Sequence, residues 1–259
     1  MSDKLPKDMT MAERRALYSK HRHPPTTDRE ARNLERVLWL FREMPRIKPA
    51  TVLDIGCESG FITRWMVDEP YVTKLFGVDP CEFSIEHAKS LVKKRTNADK
   101  ALYEVKGWED ADEQLRNIVA KPGSPGHVGL FSVPWDAIVC FEVIEHFLPE
   151  EGVELIKKIH SLLAPGRDVA LNAGACDDEI LNKVKVADGT MDKKRIPGGT
   201  AFLCTPSATG RYGLSNPDPW HLKIYTLDEL VKLVKDVTGV SPDVSEDDPD
   251  FIMLKWRKP

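Results

Sequence analysis

The run Val52-Leu53-Asp54-Ile55-Gly56-Cys57-Glu58-Ser59-Gly60 constrains this chain more than any other stretch. Its first half is an apolar strand that closes on a carboxylate. Its second half carries two glycines, which let a backbone turn tightly and come close to a ligand. The residues after it, Gly60–Val67, read as a helix. Strand, glycine turn and helix in that order form a nucleotide-binding turn, because the start of a helix offers unpaired N–H groups. A strand apolar on both faces also demands a sheet covered on both sides.

The chain after this run supplies such a sheet. Strands are expected at Leu75–Val78, Ala101–Lys106 and Ala137–Phe141, alternating with helices at Ser84–Lys94, Ala111–Val119 and Glu150–Leu163. This alternation implies parallel strands with helices on both faces. Lys121–Gly129, rich in Gly and Pro, reads as a loop. After Pro165-Gly166 the pattern becomes irregular. Ala201–Cys204 is the expected fifth strand, with roughly 167–197 as an insertion, although Val169–Ala173 is an alternative for that strand. Thr226 should cap a helix over Leu227–Val237, with Asp228 and Glu229 in its first turn. Strands near Val240–Val244 and Phe251–Arg257 should pair as a hairpin across the turn at Glu246-Asp247-Asp248-Pro249.

Ahead of the first strand, a short helix is expected around Met11–Lys20. A second runs from a cap at Asp28 to Glu43, with Leu34, Val37, Leu38 and Phe41 at helical spacing. Residues 1–47 therefore read as a helical segment packing on the core, and 48–259 as one domain carrying the insertion near 167–197.

Composition narrows the class. Apolar residues make up 41% of the 259 residues, enough to bury a core. The net charge of −4 argues against a surface that clings to nucleic acid throughout. The five cysteines, Cys57, Cys81, Cys140, Cys176 and Cys204, form no C-x-x-C pair and read as reduced thiols of a cytoplasmic protein. No apolar stretch approaches the roughly 18 residues a membrane span needs, so no membrane partner is expected. The N-terminal stretch is polar and lacks the apolar segment of a signal peptide.

A dinucleotide site places G-x-G-x-x-G after its strand, whereas this chain has D-x-G-x-x-x-G. The second strand is followed by Asp79, a carboxylate able to accept hydrogen bonds from ribose hydroxyls. With Asp54, Gly56, Gly60 and Asp79 together, the chain from about residue 50 onward resembles the class I S-adenosylmethionine (SAM) methyltransferases. Their first motif usually reads D-x-G-x-G-x-G, and Glu58 stands here in place of the middle glycine. The resemblance implies an α/β, Rossmann-like seven-stranded sheet, mostly parallel, with helices on both faces and a C-terminal antiparallel hairpin. It also implies that Asp54, Gly56, Cys57 and Gly60 hold the methionine end of SAM. Asp79 and Pro80 would hold the ribose, Trp108 and Glu109 the adenine, and Phe141 would lie beside the cofactor.

Past the fourth strand comes a second constellation, Glu142, Glu145 and His146, with His221 far along the chain before Tyr225-Thr226. Ligands bind at the carboxyl edge of open α/β sheets, and clustered carboxylates and imidazoles there are costly unless they bind something. This E-x-x-E-H with a later H-x-x-x-x-T resembles two metal-assisted groups. One is the small-RNA 3′-terminal 2′-O-methyltransferases; the other is the ubiquinone-pathway O-methyltransferases. The resemblance implies a divalent cation (Mg, Mn or Zn) on Glu142, Glu145, His146 and His221, with His146, His221 and Glu142 as catalytic candidates. A metal-free His146 general base, or a purely structural His146 and His221, fits the same residues.

The acceptor is expected to be a hydroxyl of a small molecule or sugar, with an RNA ribose 2′-hydroxyl as the alternative. A non-catalytic SAM-fold binding subunit is a third reading, against which the intact motifs speak. Arg14, Arg15, Lys20 and Arg22 could meet an anionic substrate, or form a solvated helix face. The 167–197 insertion, mixing Asp177, Asp178 and Glu179 with Lys183, Lys185, Lys193, Lys194 and Arg195, sits where a lid over the acceptor could form, or is a peripheral decoration. Arg211, Tyr212 and Trp220 are candidates for the acceptor pocket.

Overall fold

Seven strands in the order β3-β2-β1-β4-β7-β9-β8 form the central sheet of the computed structural model, which describes residues 6–18, 27–110, 134–170, 193–210, 220–245 and 248–259. The strands are β1 (Thr51–Ile55), β2 (Lys74–Asp79), β3 (Ala101–Val105), β4 (Ala137–Phe141), β7 (Thr200–Pro206), β8 (Asp243–Ser245) and β9 (Phe251–Arg257). The first five, from β3 to β7, pair in parallel, and β9 turns antiparallel against β7 and β8. The chain winds from β1 outward to β3, then returns to the other side of β1 as β4. That reversal opens a crevice at the carboxyl ends of β1 and β4, where ligands sit in sheets of this kind.

The described helices are α1 (Met11–Tyr18), α2 (Thr27–Ile47), α3 (Glu82–Val92), α4 (Pro149–Leu162) and α5 (Leu227–Thr238). Trp39, Leu40 and Met44 of α2 and Ile85, Ala88 and Val92 of α3 pack on one face with Val52, Leu75, Val139 and Phe202. Leu155, Ile156 and Ile159 of α4 and Leu230 and Val234 of α5 pack on the other with Leu53, Phe76, Ile138 and Leu203. Neighbouring strand residues thus feed opposite cores, as the period of two requires. The cap at Thr226 forms as expected: its hydroxyl accepts from Glu229 N, while the Glu229 carboxylate accepts from Thr226 N.

The strand beside β4 is β7, so Ala201–Cys204 takes the fifth place. Arg167–Ala170 (β5) pairs instead with Lys193–Ile196 (β6), forming an antiparallel ribbon apart from the main sheet. The expected helix over Gly60–Val67 is a correction. The chain there makes a series of turns ending in a 3-10 turn at Met66–Asp68. Ile62, Thr63 and Trp65 have side chains that lose freedom in a helix. Thr63 also spends its hydroxyl on Asp54, and Pro70 disfavours helix just beyond. The first strand of the final hairpin begins at Asp243 rather than Val240, since Gly239 is left-handed (φ 72°) and ends α5.

Cys57, Cys81, Cys140 and Cys204 are free and buried. Cys176, the expected Ala111–Val119 helix, the 121–129 loop, Lys20, Arg22, Asp177, Asp178, Glu179, Lys183, Lys185, Arg211 and Tyr212 lie outside the described residues. No helix among the described residues is long and apolar enough to cross a membrane.

Candidate active site

A cleft of about 1130 Å³, counted out to its open mouth, lies at the crevice between the ends of β1 and β4. Gly56, Cys57, Asp79, Pro80, Trp108, Glu109 and Phe141 all line it, as do Glu142, His146 and Trp220. Residues separated along the chain but expected at one site therefore meet there. Asp54 and Gly60 stand behind the wall, where they shape it.

The glycine turn is built from left-handed backbone. Gly56 (φ 71°), Glu58 (φ 46°) and Gly60 (φ 65°) alternate with ordinary residues. Two of the three carry no Cβ, which removes the steric cost. A Cβ on Gly56 would overlap Val143, and one on Gly60 would press on the Tyr103 ring. Glu58 keeps the left-handed conformation with a full side chain, at a cost of about 1–2 kcal/mol. Asp79 compensates: its Oδ2 accepts from Glu58 N at 3.0 Å and its Oδ1 from Cys81 N at 2.8 Å. Asp79 thus braces both the first turn and the start of α3.

Asp54 is buried under the turn and accepts from the Thr63 hydroxyl at 2.6 Å. Burial pushes its carboxyl up to about 7; the Thr63 hydrogen bond opposes this and the charge of Asp79 adds to it. The Cys57 thiol is pushed up by burial and then by Asp54, Asp79 and Glu58. It is therefore a packing residue rather than a nucleophile.

On the other side of the cleft, Glu145, His146 and His221 bring one ligand atom each within 4.8 Å of one another. Their imidazole rings meet edge to face, 5.1 Å between centroids. Glu145 is fully buried and accepts from the Thr205 hydroxyl at 2.9 Å. Its backbone carbonyl accepts from Leu222 N at 2.7 Å and Lys223 N at 3.2 Å, which ties the His221 segment to this loop. His146 Nδ1 lies 3.1 Å from the Trp220 carbonyl, which can only accept. The neutral ring then carries its proton on Nδ1 and its lone pair on Nε2, the arrangement for a ligand or a base.

Glu142 does not join the other three. It lines the cleft at a left-handed φ of 54° and pairs with Arg36 of α2, whose guanidinium also stacks 4.0 Å over Phe251. Arg14 also departs from expectation. It lines the cleft from α1, is buried, and pairs with Glu151 and with the Met9 carbonyl rather than forming a solvated helix face. Glu151 in turn accepts from Leu148 N at 2.8 Å and so fastens the loop after His146. Arg36, Met11, Lys106 and Phe147 escaped the sequence reading. Only Lys106 carried a signal, its place at the end of the third strand.

The chain matches the family model described as a methyltransferase domain over residues 26–237. No curated protein matches it significantly in sequence. Among solved structures it is similar to a candidate O-methyltransferase from Nostoc punctiforme, with 15% identity and a TM-score of 0.56 over 87% of this chain. It spans only 56% of that protein's length. It is similar to the magnesium protoporphyrin IX methyltransferase of Synechocystis with bound SAM, with 12% identity, TM-score 0.51, 96% of this chain and 92% of the other. The small RNA methyltransferase HEN1 shares 15% identity at TM-score 0.57, over 92% of this chain and 27% of its own. At these identities the likeness concerns the fold.

Proposed function

This chain belongs to the methyltransferase-domain family, and from that premise we propose that it moves the methyl group of SAM to a hydroxyl oxygen of a small molecule or sugar. The coarser statement, a SAM-dependent methyltransferase, rests on the family match. The observation that carries the finer one is the meeting of Glu145, His146 and His221 at the edge of the cleft that the glycine turn and Asp79 also shape.

In this reading the Gly56–Gly60 backbone receives the methionine end, Asp79 the ribose, and Trp108 and Glu109 the adenine. Phe141 and Phe147 exclude water near the sulfonium. The carboxylate and two imidazoles suit a divalent cation by donor type and spacing. Bound there, such an ion supplies Lewis-acid polarisation of the acceptor hydroxyl. The chain's own residues do the positioning. The Thr205 hydroxyl orients Glu145, and the Trp220 carbonyl fixes the His146 tautomer so that Nε2 faces its partner or takes the hydroxyl proton. Glu142, occupied by Arg36, is a wall of the site rather than a fourth ligand. Residues 1–47 serve as a helical segment closing one face, and 48–259 as the methyltransferase domain with its insertion near 167–197. Packing of Trp39, Leu40 and Met44 into the core and the separate β5–β6 ribbon support that division.

Chelation is expected to abolish methyl transfer to a panel of hydroxyl acceptors and leave SAM binding intact, with Mg, Mn or Zn restoring activity. Full activity after chelation removes the cation and leaves His146 as a base. Absence of SAM binding by calorimetry defeats the whole reading and favours a non-catalytic subunit.

A second reading, transfer to an RNA ribose 2′-hydroxyl, draws on one surface feature. Phe61 lines the cleft, Arg64 stacks 4.7 Å over it and 5.4 Å over Trp65, and Arg95 stacks 4.2 Å over Trp65. Trp65 is 42% exposed. Aromatic and guanidinium planes in a row suit unstacked bases. RNA binding that falls steeply with salt supports this reading, and none in low salt ends it.

A further inference from the structure

Helix α1 helps to form the cleft without belonging to either apolar core. It is eight residues long, a length that rarely holds helical form alone in water. A reciprocal cap starts it: the Thr10 hydroxyl accepts from Glu13 N at 3.2 Å, and the Glu13 carboxylate accepts from Thr10 N at 2.8 Å. Among the described residues, neither core includes a side chain of this helix. Ala12, Ala16 and Leu17 are exposed, whereas Met11 and Arg14 line the cleft.

What fastens α1 is a buried charge. The Arg14 guanidinium sits on the Glu151 carboxylate and donates to the Met9 carbonyl at 2.6 Å. Met9, just ahead of the helix, is buried too. Glu151 belongs to the first turn of α4, whose Leu155, Ile156 and Ile159 are set in the core. The Glu151 oxygen that meets Arg14 also accepts from Leu148 N at 2.8 Å. Leu148 follows Phe147, a cleft residue whose ring meets Trp108 edge to face, 6.1 Å between centroids. One carboxylate thus joins α1, α4 and the loop that carries His146. Loss of one partner of such a pair is strongly felt, because the other charge stays desolvated.

A short helix outside the cores opens at lower free energy than the sheet. A ligand that meets it only in the closed form favours that form, and the closed form in turn retains the ligand. Resting on the reading of this cleft as the SAM site, we propose that Arg14 and Glu151 are positioning residues that fasten α1 as a clasp on the cofactor cleft. With the pair intact, the α1 wall stays in place beside the ligand and sets its residence time. With the pair broken, the wall opens and the ligand leaves. Each turnover then has to open the clasp to exchange S-adenosylhomocysteine for SAM.

The experiment follows association and release of S-adenosylhomocysteine on the full chain by stopped flow, with hydrogen exchange at the α1 amides in parallel. Wild type is compared with R14M, E151Q and the double variant. E151Q keeps an oxygen for Leu148 N, so α4 keeps its cap. The double variant leaves neither charge of the pair behind, which guards against a folding defect as the cause. All three are expected to release the ligand about tenfold faster, with association within about twofold. The double variant is expected to match the single ones, as groups acting as one unit require. In wild type the ligand slows exchange at the α1 amides, and in the variants that slowing is lost. Release from the double variant at the wild-type rate overturns the proposal, as does α1 exchange in wild type that the ligand leaves unchanged. A loss of affinity carried by association instead assigns the pair to general shaping of the cleft and overturns it too. If wild type binds neither SAM nor S-adenosylhomocysteine, the reading of the cleft itself fails, and the clasp with it.

Discussion

The two sides of the cleft are made in different ways. The β1–β2 side is local: a short glycine-containing run and the end of the next strand make its wall, and Asp79 ties the two together through backbone N–H groups. The β4–β7 side is assembled from afar. Glu145 meets Thr205 sixty positions on, and His146 meets Trp220 seventy-four positions on. In the proposed function the first side seats a ligand by backbone geometry, and the second does chemistry with buried Glu145 and the half-buried His146 and His221. The comparison teaches that cofactor binding and methyl transfer should be separable by substitution.

The largest effect tests that separation directly. His146→Ala or His221→Ala is expected to lower kcat by roughly 10²–10⁴-fold, the usual worth of a positioned base or ligand, while leaving affinity for S-adenosylhomocysteine within about twofold. A parallel loss of affinity would mean the two sides are one unit. Gly56→Ala attacks the seam between them, because its Cβ overlaps Val143 in the loop that leads to His146. Overpacking plus a left-handed Ala should cost about 2–4 kcal/mol of stability in denaturant titration. A neutral result would show that the 142–146 loop yields easily. Asp79→Ala stays on the cofactor side. It removes the acceptor of two N–H groups and, in the proposed reading, of the ribose, and should weaken SAM binding by about 1.5–3 kcal/mol, with unchanged affinity placing the ribose elsewhere.

The last effect is a slope rather than a step. Asp54, raised by burial to about 7 from the ordinary carboxylate range, binds its proton more readily folded than unfolded. Its contribution to stability is present in full below the unfolded value and is lost as pH rises through the folded one. Thermal stability of Asp54→Asn relative to wild type should therefore rise between about pH 4 and 7, and a flat difference would place the carboxyl in contact with water.

The sequence by itself determined the sheet, its parallel half and the glycine turn, because period, punctuation and neighbouring residues carry those features. It also brought Asp54, Gly56, Gly60 and Asp79 together, since all follow from two adjacent strands. It misread Gly60–Val67 as a helix, where Thr63 instead turns to a buried carboxylate. It grouped Glu142 with Glu145 and His146 because they are close in sequence. Only the tertiary structure separated them, sending Glu142 to Arg36 on α2 and Glu145 inward to Thr205. Side-chain partners across the sheet depend on which elements pack together, and no local pattern encodes that. Glu58 belongs to both accounts. The sequence marked it as the residue out of pattern, and the fold decided that it keeps the glycine's left-handed backbone at the wall of the cleft.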